Sequence, residues 1–165
     1  MNKPVFTARC PVCHMKIIDL TLKLGYEGIE QHFCSSQCLE RFQAHPHLYV
    51  GDPQHGKSVK QKNEKVLKQR RIRFNEAISN DLKKVLEESL HVLMGIVELT
   101  FEEQDLLVTY DLLEVSLEMI EKTIEDSAIR LRGSILENIK RGLIHYSEDC
   151  ELDNLSHLSK DNNGH

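Results

Sequence analysis

The sequence predicts an α+β protein in two parts: a small four-cysteine module, then a βαββαβ domain with an extra C-terminal helix. Three observations carry this. Four of the five cysteines fall within the first 38 of 165 residues. Charge then changes sign along the chain: residues 1–50 hold five basic and four acidic groups, 51–71 seven and two, and 72–165 nine and twenty. From Arg71 onward the apolar residues switch repeatedly between a period of two and a period near 3.6.

The cysteines come as Cys10-x2-Cys13 and Cys34-x3-Cys38, with 20 residues between the pairs. The N-terminus carries no apolar stretch of the export type, so four thiols here read as a metal site, not a disulfide framework. A thiophilic metal needs about four ligands in a tetrahedron. A piece of about 50 residues buries too little surface to be stable alone. Structural zinc supplies about 10–16 kcal/mol of apparent binding energy in finger peptides, enough to fix such a piece. Zinc is the expected ion. Cu(I) or another soft metal fits the same donors, because thiolates do not discriminate by themselves.

Around these ligands, Lys16–Leu20 and Leu22–Tyr26 read as two short strands. Residues 28–33 return the chain to the metal. Ser35 or Ser36 can cap a helix through Leu39–Phe42, with Leu39 and Phe42 on one face and Cys38 on its first turn. His14, Met15 and His32 are further donors beside the site. Core filling is the plainer reading for Met15, a water-facing strand position for His32, and a second-sphere or transient contact for His14. His45 and His47 flank Pro46 as surface residues at a helix end.

Cys10-Pro11-Val12-Cys13-His14-Met15, then His32-Phe33-Cys34-Ser35-Ser36-Gln37-Cys38, then Phe42, Pro46 and Tyr49, resemble the YHS/TRASH family. The resemblance covers about residues 8–50. It implies a short zinc-finger-like fold, metal binding by Cys10, Cys13, Cys34 and Cys38, and a connection to heavy-metal traffic or sensing. His14 stands where that family has glycine, which restricts the backbone of the turn.

Residues 51–70 read as a basic linker, since Val59, Val66 and Leu67 are its few apolar residues. In the second domain, 71–132, Ile72 and Phe74 alternate as in a half-buried strand. Ile78, Leu82, Val85, Leu86, Ser89 and Leu93 follow a helical period. Strands 95–101 and 106–110 are joined by Glu102–Asp105. Ser116 caps a second helix with Met119, Ile120, Thr123 and Ile124 inward, and Ala128–Leu131 reads as a closing strand. The order is ferredoxin-like.

Gly95–Leu99, Leu107–Asp111 and Glu118–Ile124 resemble the heavy-metal-associated (HMA) domain family. Metal-carrying members have Met-x-Cys-x-x-Cys in the first loop. Here that loop is Phe74–Asp81, without Cys, Met or His, so the resemblance implies a degenerate module with no soft-metal site. Glu76 and Asp81 read as surface carboxylates.

Residues 133–158 read as a C-terminal helix, from an apolar stripe of Ile135, Leu136, Ile139, Leu143 and Tyr146. The stripe suits core packing or a homo-oligomer contact. Cys150 lies among Glu148, Asp149, Glu151 and Asp153, whose charge works against a thiolate, and reads as inert. His145 and His157 are the nearest companions it has in sequence. Residues 159–165 read as a disordered tail.

Composition removes several function classes. No apolar run is long enough for a membrane span, and no Gly-rich phosphate loop is present. No nucleophile and base can be paired, so an enzyme is not expected. Two readings stay open. One is a cytoplasmic metal-handling protein that meets a metal transporter or metal chaperone. The other is an adaptor in which zinc is structural, with the linker or the second domain binding a protein or nucleic acid. Nucleic acid is the weaker of those partners, because the chain as a whole is acidic.

Overall fold

The computed structural model describes residues 8–74, 76–130 and 147–155. The chain divides after Glu64 and after Asp153 into two compact units. The fold is mixed, with one sheet in each unit.

The first unit is built on a hairpin, β1 (Lys23–Tyr26) and β2 (Ile29–His32), paired antiparallel. Its two-residue turn is Glu27-Gly28, both at positive φ (50° and 79°). That is the turn handedness which matches strand twist. The expected first strand at Lys16–Leu20 is not formed. Lys16 makes only an isolated bridge to Arg9, while Ile18 and Leu20 are exposed. A glycine at position 28 moves the hairpin turn downstream of where alternation alone put it.

Helix α1 (Ser36–Ala44) starts at Ser35, whose side chain accepts from the Cys38 N–H. Phe42 is its buried anchor and Leu39 is half-buried. Phe42 gathers the aromatic residues described in the unit, Tyr26, Phe33 and Tyr49. Its ring centroid lies 5.1 Å from that of Phe33, 5.5 Å from Tyr26 and 6.0 Å from Tyr49. A 3-10 turn, Pro46–Leu48, brings Leu48 and Tyr49 into this core.

The first part of the expected linker is folded. The Gln61 side-chain oxygen accepts from the Gly51 and Ser58 N–H groups at 3.1 and 3.0 Å. Val59 is buried, and Lys60–Lys62 form a 3-10 turn. One amide side chain, satisfying two backbone donors, replaces the missing apolar face.

The second unit contains β3 (Leu67–Arg73), α2 (Asn80–His91), β4 (Ile96–Phe101), β5 (Asp105–Asp111) and α3 (Leu117–Arg130). Its antiparallel sheet has the order β3-β5-β4. β3 begins at Leu67, so the basic residues 68–71 are strand, not linker. Their alternation hides Ile72 and half-buries Lys68 and Arg70. Ser79 caps α2 and Ser116 accepts from the Met119 N–H at the start of α3. Leu82, Leu86 and Leu90 of α2 and Ile120 and Ile124 of α3 enter the core.

The expected closing strand is corrected: residues 128–130 end α3. Leu131 lies outside the described residues. The helical period from Leu117 runs on through Ala128, and continuing the hydrogen-bonded helix outweighs a short β-branched cue. The four-stranded ferredoxin-like sheet is therefore not seen among the described residues. The apolar stripe at 135–146 and the 159–165 tail also lie outside them.

Residues 147–155 are helical. Glu148 is buried, and its carboxylate accepts from the Tyr110 hydroxyl and, at 3.0 Å, from the Leu117 N–H. It thus fills a donor position at the start of α3 that the helix cannot satisfy itself. Burial first, and then Glu148, push the Tyr110 phenol above its usual range. Glu151 pairs with Lys68 at 2.7 Å, and Leu152 is fully buried. The tail is tied to the sheet by a charged group and an apolar one.

Tyr110→Phe removes a donor from a buried carboxylate. It is expected to cost about 1.5–3 kcal/mol, read as a lower midpoint in urea with the slope unchanged. An unaltered midpoint would mean that Glu148 is not held there.

Candidate metal centre

Two local structures bring the sulfurs together. The first is the turn from Cys10 to Met15. The His14 N–H reaches the Cys10 carbonyl and the Cys10 N–H reaches the Met15 carbonyl, both at 2.9 Å. The second is the entry to α1, where Cys34 precedes the capping residue Ser35 and Cys38 sits on the first turn. Phe33, held through its N–H to the Leu22 carbonyl at 2.9 Å, fixes the approach to Cys34.

The four Sγ atoms all lie within 4.8 Å of one another. Cys13 and Cys34 are 3.3 Å apart, and Cys34 and Cys38 3.7 Å. Four thiolates around zinc at about 2.3 Å would stand about 3.8 Å apart. The donor set and its spacing therefore fit one tetrahedral thiophilic ion. Cys10 and Cys38 are 0% exposed, while Cys13 and Cys34 are half-buried. A bound ion would join the turn to the helix.

The thiols cannot all ionise together without a cation. Cys10 is driven well below the usual thiol range, chiefly because Cys13 and then Cys38 donate to it. The Cys13 and Cys34 N–H groups add to this. Cys13 is pushed up to about 12, chiefly by its bond to Cys10. Cys38 is raised further, by Cys10, by Cys13 and by burial. The arrangement is one thiolate clasped by its neighbours' protons. A divalent cation supplies the positive charge that displaces those protons.

The neighbouring donors do not join the cluster. Among the described residues, only Cys10, Cys13, Cys34 and Cys38 converge as candidate ligands. His14 lies in the turn at φ 62°, the left-handed region. Its conformation is the one a glycine would adopt without strain. Met15 is 50% exposed, so the core-filling expectation is corrected. The tight return of the chain at Cys10–Met15 turns its side chain outward. His32 is half-buried rather than water-facing. Its Nε2 lies 3.4 Å from Glu30, while Nδ1 is buried without a hydrogen-bond partner. His47 is exposed, with Nδ1 3.0 Å from the Tyr26 hydroxyl. Glu76 and Asp81 are exposed at the start of α2. Cys150 is half-buried and outside the cluster. His145 and His157 lie outside the described residues.

Residues 8–53 match the YHS domain family. The match takes in all four cysteines, the hairpin and α1, and none of residues 54–165. Searches of curated proteins and of solved structures found no match. The HMA resemblance of the second unit has no counterpart in these comparisons. Sequence reasoning missed Gln61, which secures the end of the YHS module, and Glu148 with Tyr110. A lone Gln between lysines and a Glu in an acidic run carry no periodic signal.

Two predictions follow the site's geometry. His14→Gly relieves the strained turn and is expected to stabilise the metal-loaded protein by about 0.5–1 kcal/mol. Chemical denaturation checks the stability, and a competition titration should show unchanged metal affinity. A loss of affinity would make the imidazole a ligand. Metal affinity should also rise with pH through the neutral range. Cys13 and Cys38 hold protons there that the ion must displace, so falling pH restores the competing protons. Calorimetry in buffers of different ionisation enthalpy should find those protons released on binding, and a pH-independent affinity would contradict this.

Proposed function

We propose that this chain is a metal-handling protein that carries or senses zinc or a soft heavy-metal ion such as Cu(I). The observation that carries the reading is the asymmetry of the four-sulfur site. Two of the cysteines, Cys10 and Cys38, are sealed in the core, and two, Cys13 and Cys34, are only partly buried. A sealed pair gives retention. An accessible pair gives an incoming thiol or metal donor a place to begin ligand exchange.

In this reading the protein is a binding protein, not an enzyme, and works in the cytoplasm. The second unit is a docking surface. Its HMA-like character is supported by the order β-α-β-β-α and the antiparallel arrangement β3-β5-β4. It would take no soft metal itself, because Phe74–Asp81 offers no Cys, Met or His. Residues 72–165 carry nine basic and twenty acidic groups. That excess steers a basic partner such as a metal transporter or a loaded metal chaperone. No helix among the described residues is long and apolar enough to cross a membrane.

A second reading is favoured by the burial of Cys10 and Cys38 inside the module's core. There the metal is structural zinc, and the protein is an adaptor whose second unit binds a protein partner. Closed four-thiolate sites are commonly structural.

Elemental analysis of protein purified under reducing, metal-replete conditions separates the two. Metal handling predicts one ion that a chelator removes, and that Cu(I) displaces without loss of the circular dichroism of the fold. A zinc that resists both, and whose final removal unfolds the module, would overturn it in favour of the adaptor.

A further inference from the structure

We propose that Cys13 and Cys34 form a peroxide-sensitive thiol pair whose oxidation to a disulfide opens the four-sulfur site. The release of metal rests on the function proposed above; the formation of the disulfide does not.

Three observations single out this pair. Its sulfurs are 3.3 Å apart, closer than the 3.7 Å between Cys34 and Cys38. Both are half-exposed, whereas Cys10 and Cys38 are fully buried. The pair also joins two separate segments, the Cys10–Met15 turn and the residue before the α1 cap. Cys34 lies outside the helix, while Cys38 is fixed within it and its N–H is bonded to Ser35. A disulfide needs sulfurs about 2.05 Å apart, so an approach of about 1.2 Å suffices. Movement of Cys34 can supply it while the cap of α1 stays intact. A Cys34–Cys38 bond would instead pull on the capped first turn.

The chemistry balances with hydrogen peroxide as the oxidant. The Cys34 sulfur, having given up its proton, attacks the O–O bond and takes a hydroxyl group, giving a sulfenic acid, and the other oxygen leaves as water with that proton. The second thiol attacks that sulfur. The hydroxyl departs as water with the thiol's proton, and the S–S bond forms. Two thiols lose two electrons in all, and one peroxide becomes two waters. In the zinc-loaded protein both sulfurs start as thiolates, so the protons of the two waters come from solvent; the zinc, left with two of its four ligands, leaves as the dication.

The test uses the full chain, metal-free and zinc-loaded, treated with stoichiometric peroxide, alkylated and digested with trypsin. Cleavage after Arg9, Lys16, Lys23 and Arg41 puts Cys10 and Cys13 on one peptide and Cys34 and Cys38 on another. The expected product is a cross-link between peptides 10–16 and 24–41 that fragmentation assigns to Cys13–Cys34. In the loaded protein, about one zinc should be freed per link, and dithiothreitol should reverse both. Cys34→Ser should abolish the link and Cys150→Ser should not; the wild-type map decides the matter even where Cys34→Ser fails to fold. A bond within either peptide, a Cys10–Cys38 bond, or higher oxides without a link would overturn the proposal. A chain that forms the link yet binds no zinc would support the pair and overturn the metal reading alone. A chain that holds zinc and forms no link would do the reverse.

Discussion

Four thiols within 4.8 Å of one another are an electrostatic problem before they are a binding site. Ionised together without a cation they repel, and protonated they make only weak hydrogen bonds. The rest of the YHS module can be read as the frame that holds them at that separation. Ser35 stops α1 from starting earlier and so places Cys38 on its first turn. The His14 turn folds Cys13 back toward Cys10. The aromatic cluster around Phe42 gives a module this short a core beneath the sulfurs. These devices are local and short in sequence, and they hold the sulfurs at a separation that one thiophilic ion would fit.

The second unit meets a different constraint. Its sheet carries a line of basic residues on β3, of which Lys68 and Arg70 are half-buried against the side that also holds Ile72. Burying charge is costly unless it is paired. Acidic groups meet Lys68, Arg71 and Arg73 from both directions, while the Arg70 guanidinium donates to the Gln69 carbonyl. Asp105 accepts from Arg71 and Arg73 on the exposed side, which holds its carboxyl below the usual range. Glu151 meets Lys68, and Glu148 enters the core to take the Tyr110 hydroxyl and the start of α3. The net negative charge of the C-terminal part is thus partly structural. Some of it is consumed in balancing a strand that belongs to the basic stretch of the sequence.

Much of this was legible in the residues and some was not, for reasons that can be named. The four-cysteine cluster was legible because metal coordination needs fixed residue types at fixed spacing. Ser35 and Ser116 were legible as candidate caps because the cap chemistry is carried by one residue and its neighbours. Helix α2 followed its period of Leu82, Leu86 and Leu90. The first hairpin was misplaced because Lys16–Leu20 alternates as a strand does, while the chain there is committed to closing the cysteine turn. The end of α3 was misread because three residues of β-branched and aliphatic character do not reveal whether a helix continues. Gln61 and Glu148 were invisible because their roles depend on distant partners as well, Gly51 ten residues from Gln61 and Tyr110 and Leu117 more than thirty from Glu148, and a polar side chain announces no partner in advance.

The sequence separation of those last contacts has a consequence for synthesis. The contacts that gather the cysteines span a few tens of residues. The second unit cannot place Glu148 on Tyr110, or Glu151 on Lys68, 83 residues earlier, until residues 148–151 have left the ribosome. Domains generally fold in the order in which they emerge, and long-range contacts come late. The four sulfurs can therefore come together while the acidic part is still unfinished.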